Sequence, residues 1–161
     1  MEQQANSGIS RFFSQLNQQA DAVYKFVTLY NDYMTNIKDY GTGQLINMVE
    51  IHTLTAIEEN PGITISQLAS KWHRTASAIT QTVNKLEKRG FVQRRKDADN
   101  ARNILLYVTE EGDKLSRAHK RYDAIEVTET LLELTKYCSP DEVDSFFKVI
   151  DVYNEILEKE F

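Results

Sequence analysis

Thr75-Ala76-Ser77-Ala78-Ile79-Thr80-Gln81-Thr82-Val83-Asn84-Lys85-Leu86-Glu87-Lys88-Arg89-Gly90 reads as a helix with both ends marked. Thr75 is an N-cap type whose hydroxyl can accept from a free backbone N–H of the first turn. Gly90 supplies the left-handed residue on which helices end. Ile79, Val83 and Leu86 recur at steps of 4 and 3, which builds one apolar face. The opposite face carries Ser77, Gln81, Asn84, Lys85 and Lys88, hydrogen-bonding side chains with almost no carboxylate among them.

Working outward, Thr64 with Gln67 forms a capping box. The short helix it opens runs to about His73 and is expected to bury Ile65, Leu68, Ala69 and Trp72. Past Gly90, Phe91–Arg95 and Ile104–Val108 are rich in aromatic and β-branched residues and read as strands. Lys96–Asn103 joins them as a polar hairpin tip, and Thr109 caps the next helix. A helix-turn-helix followed by a basic hairpin is the geometry of a winged helix, whose second helix enters the major groove. Gln81 and Asn84 suit adenine edges, while Ser77, Thr80 and Thr75 suit bases or phosphates. Lys85, Lys88 and Arg89 are placed for phosphates, which supply affinity without sequence, and Arg94 and Arg95 on the first wing strand are expected among the DNA-binding residues. Arg102 at the tip suits a narrow minor groove, where the potential is most negative.

Charge distribution points the same way. The chain of 161 residues carries a net −5, yet nine Lys/Arg and three acids fall between Lys71 and Arg102, leaving +6 there and −11 elsewhere. A basic patch on an acidic body binds phosphate locally while the remainder repels it. No apolar run approaches the ~20 residues of a membrane span, and no signal peptide opens the chain, so a cytoplasmic protein is expected. One cysteine, Cys138, excludes an internal disulfide framework.

The flanks are helical. Residues 1–8 are polar and expected to fray, and a stripe then runs through Ile9, Phe13, Leu16, Ala20, Val23, Val27, Tyr30, Met34 and Ile37. Its alternating steps of 4 and 3 make a heptad seam on a helix of ~29 residues, or ~43 Å, more than a domain of this size needs for its own core. The simplest partner for the surplus is a second copy of the chain. Gly41 and Gly43 break the helix, and Asn47 with Glu50 forms a capping box for the next. Beyond Thr109 a long helix is expected to reach about Tyr137. Ser139-Pro140-Asp141-Glu142 then opens the last helix with cap, proline and capping-box glutamate together. Its stripe is Val143, Phe146, Phe147, Ile150, Tyr153 and Leu157.

Over nearly its whole length the chain resembles MarR-family transcriptional regulators. The wing carries the likeness. The family pattern D-x-R followed by five residues and L-T is matched in register by Asn100-Ala101-Arg102-Asn103-Ile104-Leu105-Leu106-Tyr107-Val108-Thr109, with Asn100 for Asp and Val108 for Leu. Leu86–Val92 resembles the end of the family's recognition helix. The resemblance implies a mainly α fold with a β-hairpin wing. Its divisions are an N-terminal dimerisation helix (1–40), a winged helix-turn-helix lobe (41–109) and C-terminal dimerisation helices (110–161). It implies a homodimer joined through Ile9, Phe13, Leu16, Phe146, Ile150, Tyr153 and Leu157 on a pseudo-palindromic operator, with half-sites about 34 Å apart. It also implies a repressor released by a small hydrophobic or phenolic effector, for which Tyr24, Tyr30, Met34, His52 and Tyr122 are the expected lining. Glu50–Leu54 and Ala118–Tyr122 resemble segments of the family's fatty-acid-synthesis repressors, so an acyl chain is one such effector.

Other classes find less support. A metal-sensing variant needs clustered ligands, whereas His52, His73 and His119 fall on different elements. His119 and Asp123 share a face, but two ligands are not a site, and no metal or cofactor is expected. A redox sensor would rest on Cys138, ahead of a helix N-terminus but without a partner cysteine. An enzyme is not expected, since no phosphate-binding glycine loop, Glu-x-x-His metal motif or activated nucleophile is present. A winged helix used only for protein contacts predicts no salt-dependent DNA binding.

Overall fold

The computed structural model describes residues 2–98, 100 and 103–160, with side chains from residue 14 onward. The elements run α1 (Glu2–Thr35), β1 (Ile37–Asp39), β2 (Leu45–Asn47), α2 (Met48–Glu59), α3 (Ile65–Lys71), α4 (Ala76–Lys88), β3 (Val92–Lys96), β4 (Ile104–Val108), α5 (Glu110–Leu134) and α6 (Pro140–Glu160). They fall into two compact units, 1–116 and 117–161, with the first turns of α5 in the first unit. The fold is mainly α with a hairpin wing, as expected. No helix among the described residues is long and apolar enough to cross a membrane.

The core of the first unit gathers Ile51, Leu54 and Ile57 of α2, Leu68 of α3 and Ile79, Val83 and Leu86 of α4. Phe91, Val92, Leu106 and Leu115 close it. The apolar face read on α4 is therefore the buried one. Each of these side chains contributes roughly 1.5–3 kcal/mol by leaving water.

The caps explain where the elements start and stop. Asn47, Thr64 and Thr75 each accept from the backbone N–H three residues on, at 2.9, 3.3 and 3.2 Å. At α4's end, Gly90 takes φ +78, Phe91 N donates to Leu86 O and Gly90 N to Glu87 O. That pair of bonds is a Schellman closure. Phe91 is spent on it, so β3 begins at Val92, one residue later than the sequence suggests. At Ser139, the backbone N–H and the hydroxyl both reach Glu142 Oε2, at 2.8 and 2.9 Å. Donation from the Ser139 N–H, then from its hydroxyl, lowers the Glu142 pKa below its ordinary value.

Several expectations need correction. Helix α1 is already formed at Glu2, the first described residue, rather than starting near Ile9, and Gln3, Gln4 and Ala5 are sound helix formers. It stops at Thr35, so Ile37, read as the last member of the stripe, lies on a strand. The glycine loop is the turn of an antiparallel hairpin pairing Ile37 with Asn47, Lys38 with Ile46 and Asp39 with Leu45. Asp39 holds that turn, accepting from the N–H groups of Gly41, Thr42 and Gly43 at about 3 Å. The Asn47–Glu50 box is half formed: Asn47 caps α2, but the Glu50 carboxylate turns to Lys85 and Arg89. Helix α5 ends at Leu134 instead of about Tyr137, since Lys136 and Tyr137 fall in tighter turns bonded three residues back.

The wing sheet gains an unexpected edge. β3 and β4 pair from Val92↔Val108 to Lys96↔Ile104. The segment before α3 adds to it through Gly62 N to Leu106 O and Leu106 N to Ile63 O, at 2.8 and 3.0 Å. Gly62 takes φ +88 with Tyr107 Oη 3.2 Å from where a Cβ would stand, so this crossing requires glycine.

Long apolar faces stay uncovered within a single chain. Residues 14–32 of α1 are all exposed, Val27 and Leu29 among them. In the second unit α6 has no buried residue, although it carries Phe146, Phe147, Val152, Tyr153 and Leu157.

Candidate nucleic-acid interface

The outer face of α4 is set by the burial of its inner one. Ser77, Gln81, Asn84 and Lys88 follow at steps of 4, 3 and 4 and are all exposed, one polar row along the helix. Ser77, Gln81 and Lys88 have no side-chain partner among the described residues. Thr75 and Thr80 are partly engaged: Thr75 Oγ1 caps the helix and Thr80 Oγ1 donates to Ala76 O at 2.7 Å. Both hydroxyls keep a free lone pair for a donor.

The basic side chains divide into held and open ones. Lys85 Nζ lies 3.3 Å from Glu50 Oε1, and Arg89 Nη1 lies 3.7 Å from Glu50 Oε2. Arg89 also donates to Gln44 Oε1 and stacks over the Phe91 ring. The carboxylate of Glu50 thus ties the end of α4 to α2. On the wing, Arg94 faces back to α4: its Nη2 donates to Asn84 Oδ1 at 2.6 Å and its Nη1 lies 3.2 Å from Glu87 Oε2. Arg95 stacks over Tyr107, its carbon 4.6 Å from the ring centroid. Lys88 is the exposed, unpaired cation on α4 among the described residues. Arg102 lies outside the described residues. At the hairpin base, Asn103 bonds Asp97 through both main chain and side chain.

The turn between α3 and α4 is tight. His73 takes φ +46, a left-handed conformation at a point where helix-turn-helix turns often use glycine. It sets Trp72 and Arg74 beside a cavity of about 250 Å³ lined by Tyr30, Met34, Val49, His52, Ala78 and Thr82, among others. His52 and Trp72 meet edge to face at 6.4 Å. Of the residues expected to line an effector pocket, Tyr30, Met34 and His52 do so; Tyr24 stands exposed on α1, and Tyr122 belongs to the second unit. Sequence reading missed Trp72, Arg74 and the α4 residues Ala78, Ile79 and Thr82. Arg74, an exposed residue at the edge of this mostly apolar lining, has no side-chain partner among the described residues.

For the expected dimer residues, Leu16, Phe146, Tyr153 and Leu157 are exposed and Ile150 is half-buried. The side chains of Ile9 and Phe13 lie outside those described. His119 Nε2 sits 3.1 Å from Asp123 on α5, and Cys138 is a free thiol.

Residues 46–104 match the family model described as MarR family. The HTH-type transcriptional regulator YhjH of Bacillus subtilis is 30% identical over 84 residues, 52% of this chain and 48% of that protein. The match thus spans about half the length of that relative. Its B. subtilis counterpart YfiV is 22% identical over 78% of this chain and 81% of its own. Among solved structures, Streptococcus pneumoniae FabT in complex with DNA aligns with a TM-score of 0.66 at 21% identity, covering 92% of this chain and 99% of that one. The Lactococcus lactis zinc-responsive regulator ZitR aligns with a TM-score of 0.66 at 15% identity, over 88% and 99%.

Proposed function

We propose, for a chain that belongs to the MarR family, a cytoplasmic transcriptional regulator that binds duplex DNA as a homodimer on a pseudo-palindromic operator and lets go when a small acidic, hydrophobic effector binds. The observation that carries the reading is the exposed polar row Ser77, Gln81, Asn84 and Lys88 on a helix whose other face is locked in the core. Such a helix can enter a major groove without unfolding anything. Arg95 and Arg102 on the wing, and Lys85 once released from Glu50, add phosphate contacts, with Thr75 and Thr80 accepting or donating at the helix start. The structure of FabT with DNA supports a fold of this shape resting on a duplex. The uncovered faces of α1 and α6 supply the dimer contacts.

Binding to a randomised duplex library at several salt concentrations tests the reading. Log affinity should fall linearly with log salt, and Lys88→Ala should reduce that slope by about one unit while weakening all sequences alike. Absence of duplex binding at low ionic strength overturns it.

The effector half of the reading rests on the cavity. Its wall includes Ala78, Ile79 and Thr82 of α4, so an occupant presses on the DNA-reading helix. Arg74 suits a single carboxylate, and the volume suits a small aromatic body or short acyl chain. Trp72 is the chain's one tryptophan and lines the same cavity, so its emission reports occupancy directly. A phenolic acid or a medium-chain fatty acid should change that emission and release DNA, and Arg74→Ala should weaken the effect about tenfold, the scale of one charged hydrogen bond. If neither acid alters the emission, the effector reading fails while the DNA-binding one stands.

A further inference from the structure

We infer that Arg94 is a positioning residue for sequence readout, fixing which way round the Asn84 amide is presented to DNA. The inference rests on the DNA-binding function proposed above and concerns a side chain that the sequence marks only as DNA-binding.

Arg94 sits on β3 and reaches across to α4, where Asn84 and Glu87 lie three residues apart on adjoining positions of the same face. Its Nη2 donates to Asn84 Oδ1 at 2.6 Å while its Nη1 pairs with Glu87 Oε2 at 3.2 Å. A guanidinium has five donors and no acceptor, so only the amide oxygen can face it. A free asparagine amide flips at little cost and presents donor and acceptor in either order. This one cannot flip without setting its NH₂ against a cation. The Asn84 oxygen is held on the wing side and the Nδ2 donor on the other. Asn84 is exposed, in row with Ser77, Gln81 and Lys88.

The direction of an amide matters for what it reads. A bidentate contact to adenine needs the oxygen opposite N6–H and the NH₂ opposite N7, and the reversed order meets no base edge as well. An amide fixed in one sense therefore selects one strand orientation of one base pair in each half-site. Glu87 contributes by holding the guanidinium on its other side, which leaves Arg94 with one orientation in which to meet Asn84.

The test starts from the wild-type protein and the preferred duplex obtained from the randomised library, measured against single-base variants of that duplex. Wild type should show at least one position per half-site with a preference of ~10-fold or more, the scale of a good bidentate contact. Arg94→Met should reduce that preference to within about twofold while the other positions keep theirs. Asn84→Ala should flatten the same position, and combining the two should add nothing. Asn84→Asp keeps the pairing with Arg94, and hence the wing, but removes the donor; it should lose the preference with the fold intact, which guards against Arg94→Met failing to fold. Arg94→Lys, still a donor to Oδ1, should restore part of it.

If Arg94→Met weakens every duplex equally and the position keeps its preference, Arg94 is an ordinary phosphate contact and the inference is overturned. It is equally overturned if Asn84→Ala changes no base preference. Failure of the wild type to bind any duplex would instead remove the function on which the inference rests.

Discussion

Gly112→Ala should lower the melting temperature by about 10 °C, a loss of roughly 3 kcal/mol for a chain of this length. Helix propensity predicts the opposite sign, since alanine in a helix is worth up to ~1 kcal/mol over glycine. Sterics decide the matter. A Cβ on Gly112 would stand 2.1 Å from the carbonyl oxygen of Phe91, 3.0 Å from its carbon and 3.3 Å from Leu54 Cδ1. The obstacle is backbone, which cannot swing aside as a side chain can. That same oxygen accepts from Thr109 N at 3.0 Å, and Thr109 Oγ1 donates to Gly90 O at 2.7 Å while accepting from Gly112 N at 3.1 Å. Relief by lifting α5 would therefore break the joint between the end of α4, the wing and α5. Overpacking in a rigid site costs about 1–3 kcal/mol, with the upper end expected where backbone meets backbone. Thermal unfolding followed by circular dichroism reads the result. A melting temperature at or above that of the wild type would mean that the joint is looser than these distances state.

Gly112 also marks where the sequence stops being readable. The signals that were legible are local. Thr64 and Gln67 lie three residues apart, so their box is written in the chain; Thr75, Gly90 and Ser139–Glu142 are of the same kind. The period of Ile79, Val83 and Leu86 fixed the inward face of α4 and thereby its outward row. What was not legible depends on partners distant in sequence. Nothing near Gly112 says that Phe91 will cross it. Nothing near Gly62 announces the bridge to Leu106. Lys85 and Asn84 read as open contacts, but Glu50 lies 35 positions before the one, and Arg94 reaches the other only because β3 folds back on α4. The β1–β2 hairpin escaped because its strands are three residues each and one aspartate organises its turn. The cavity was half seen: the aromatic stripe of α1 contributed Tyr30 and Met34, while Trp72 and Arg74 came from a turn whose direction is set by His73 at φ +46.

Ile150→Asp combined with Tyr153→Asp should separate the protein into folded monomers and cost at least a thousandfold in operator affinity. The choice of residues makes the experiment sharp. No residue of α6 is fully buried in the single chain, Tyr153 being exposed and Ile150 half-buried, so the changes should alter the fold of the chain itself by ~0.5 kcal/mol or less at Tyr153 and about 1 kcal/mol at Ile150. Any larger effect must come from a partner. In a twofold dimer every substitution is met twice. Burying an aspartate in an apolar seam without a partner costs about 2 kcal/mol or more, so two positions on two chains offset the association by roughly 8 kcal/mol. That exceeds the ~5.5 kcal/mol that separate a micromolar from a ten-millimolar dimer. A monomer brings one recognition helix to DNA and forfeits the second half-site, whose contacts arrive in a dimer at no further loss of translational freedom. Sedimentation velocity measures the first effect and titration of the selected duplex the second. A double variant that still sediments as a dimer would show that the dimer seam does not run through Ile150 and Tyr153. One that is monomeric yet binds duplex as tightly as the wild type would leave the dimer without a part in DNA recognition.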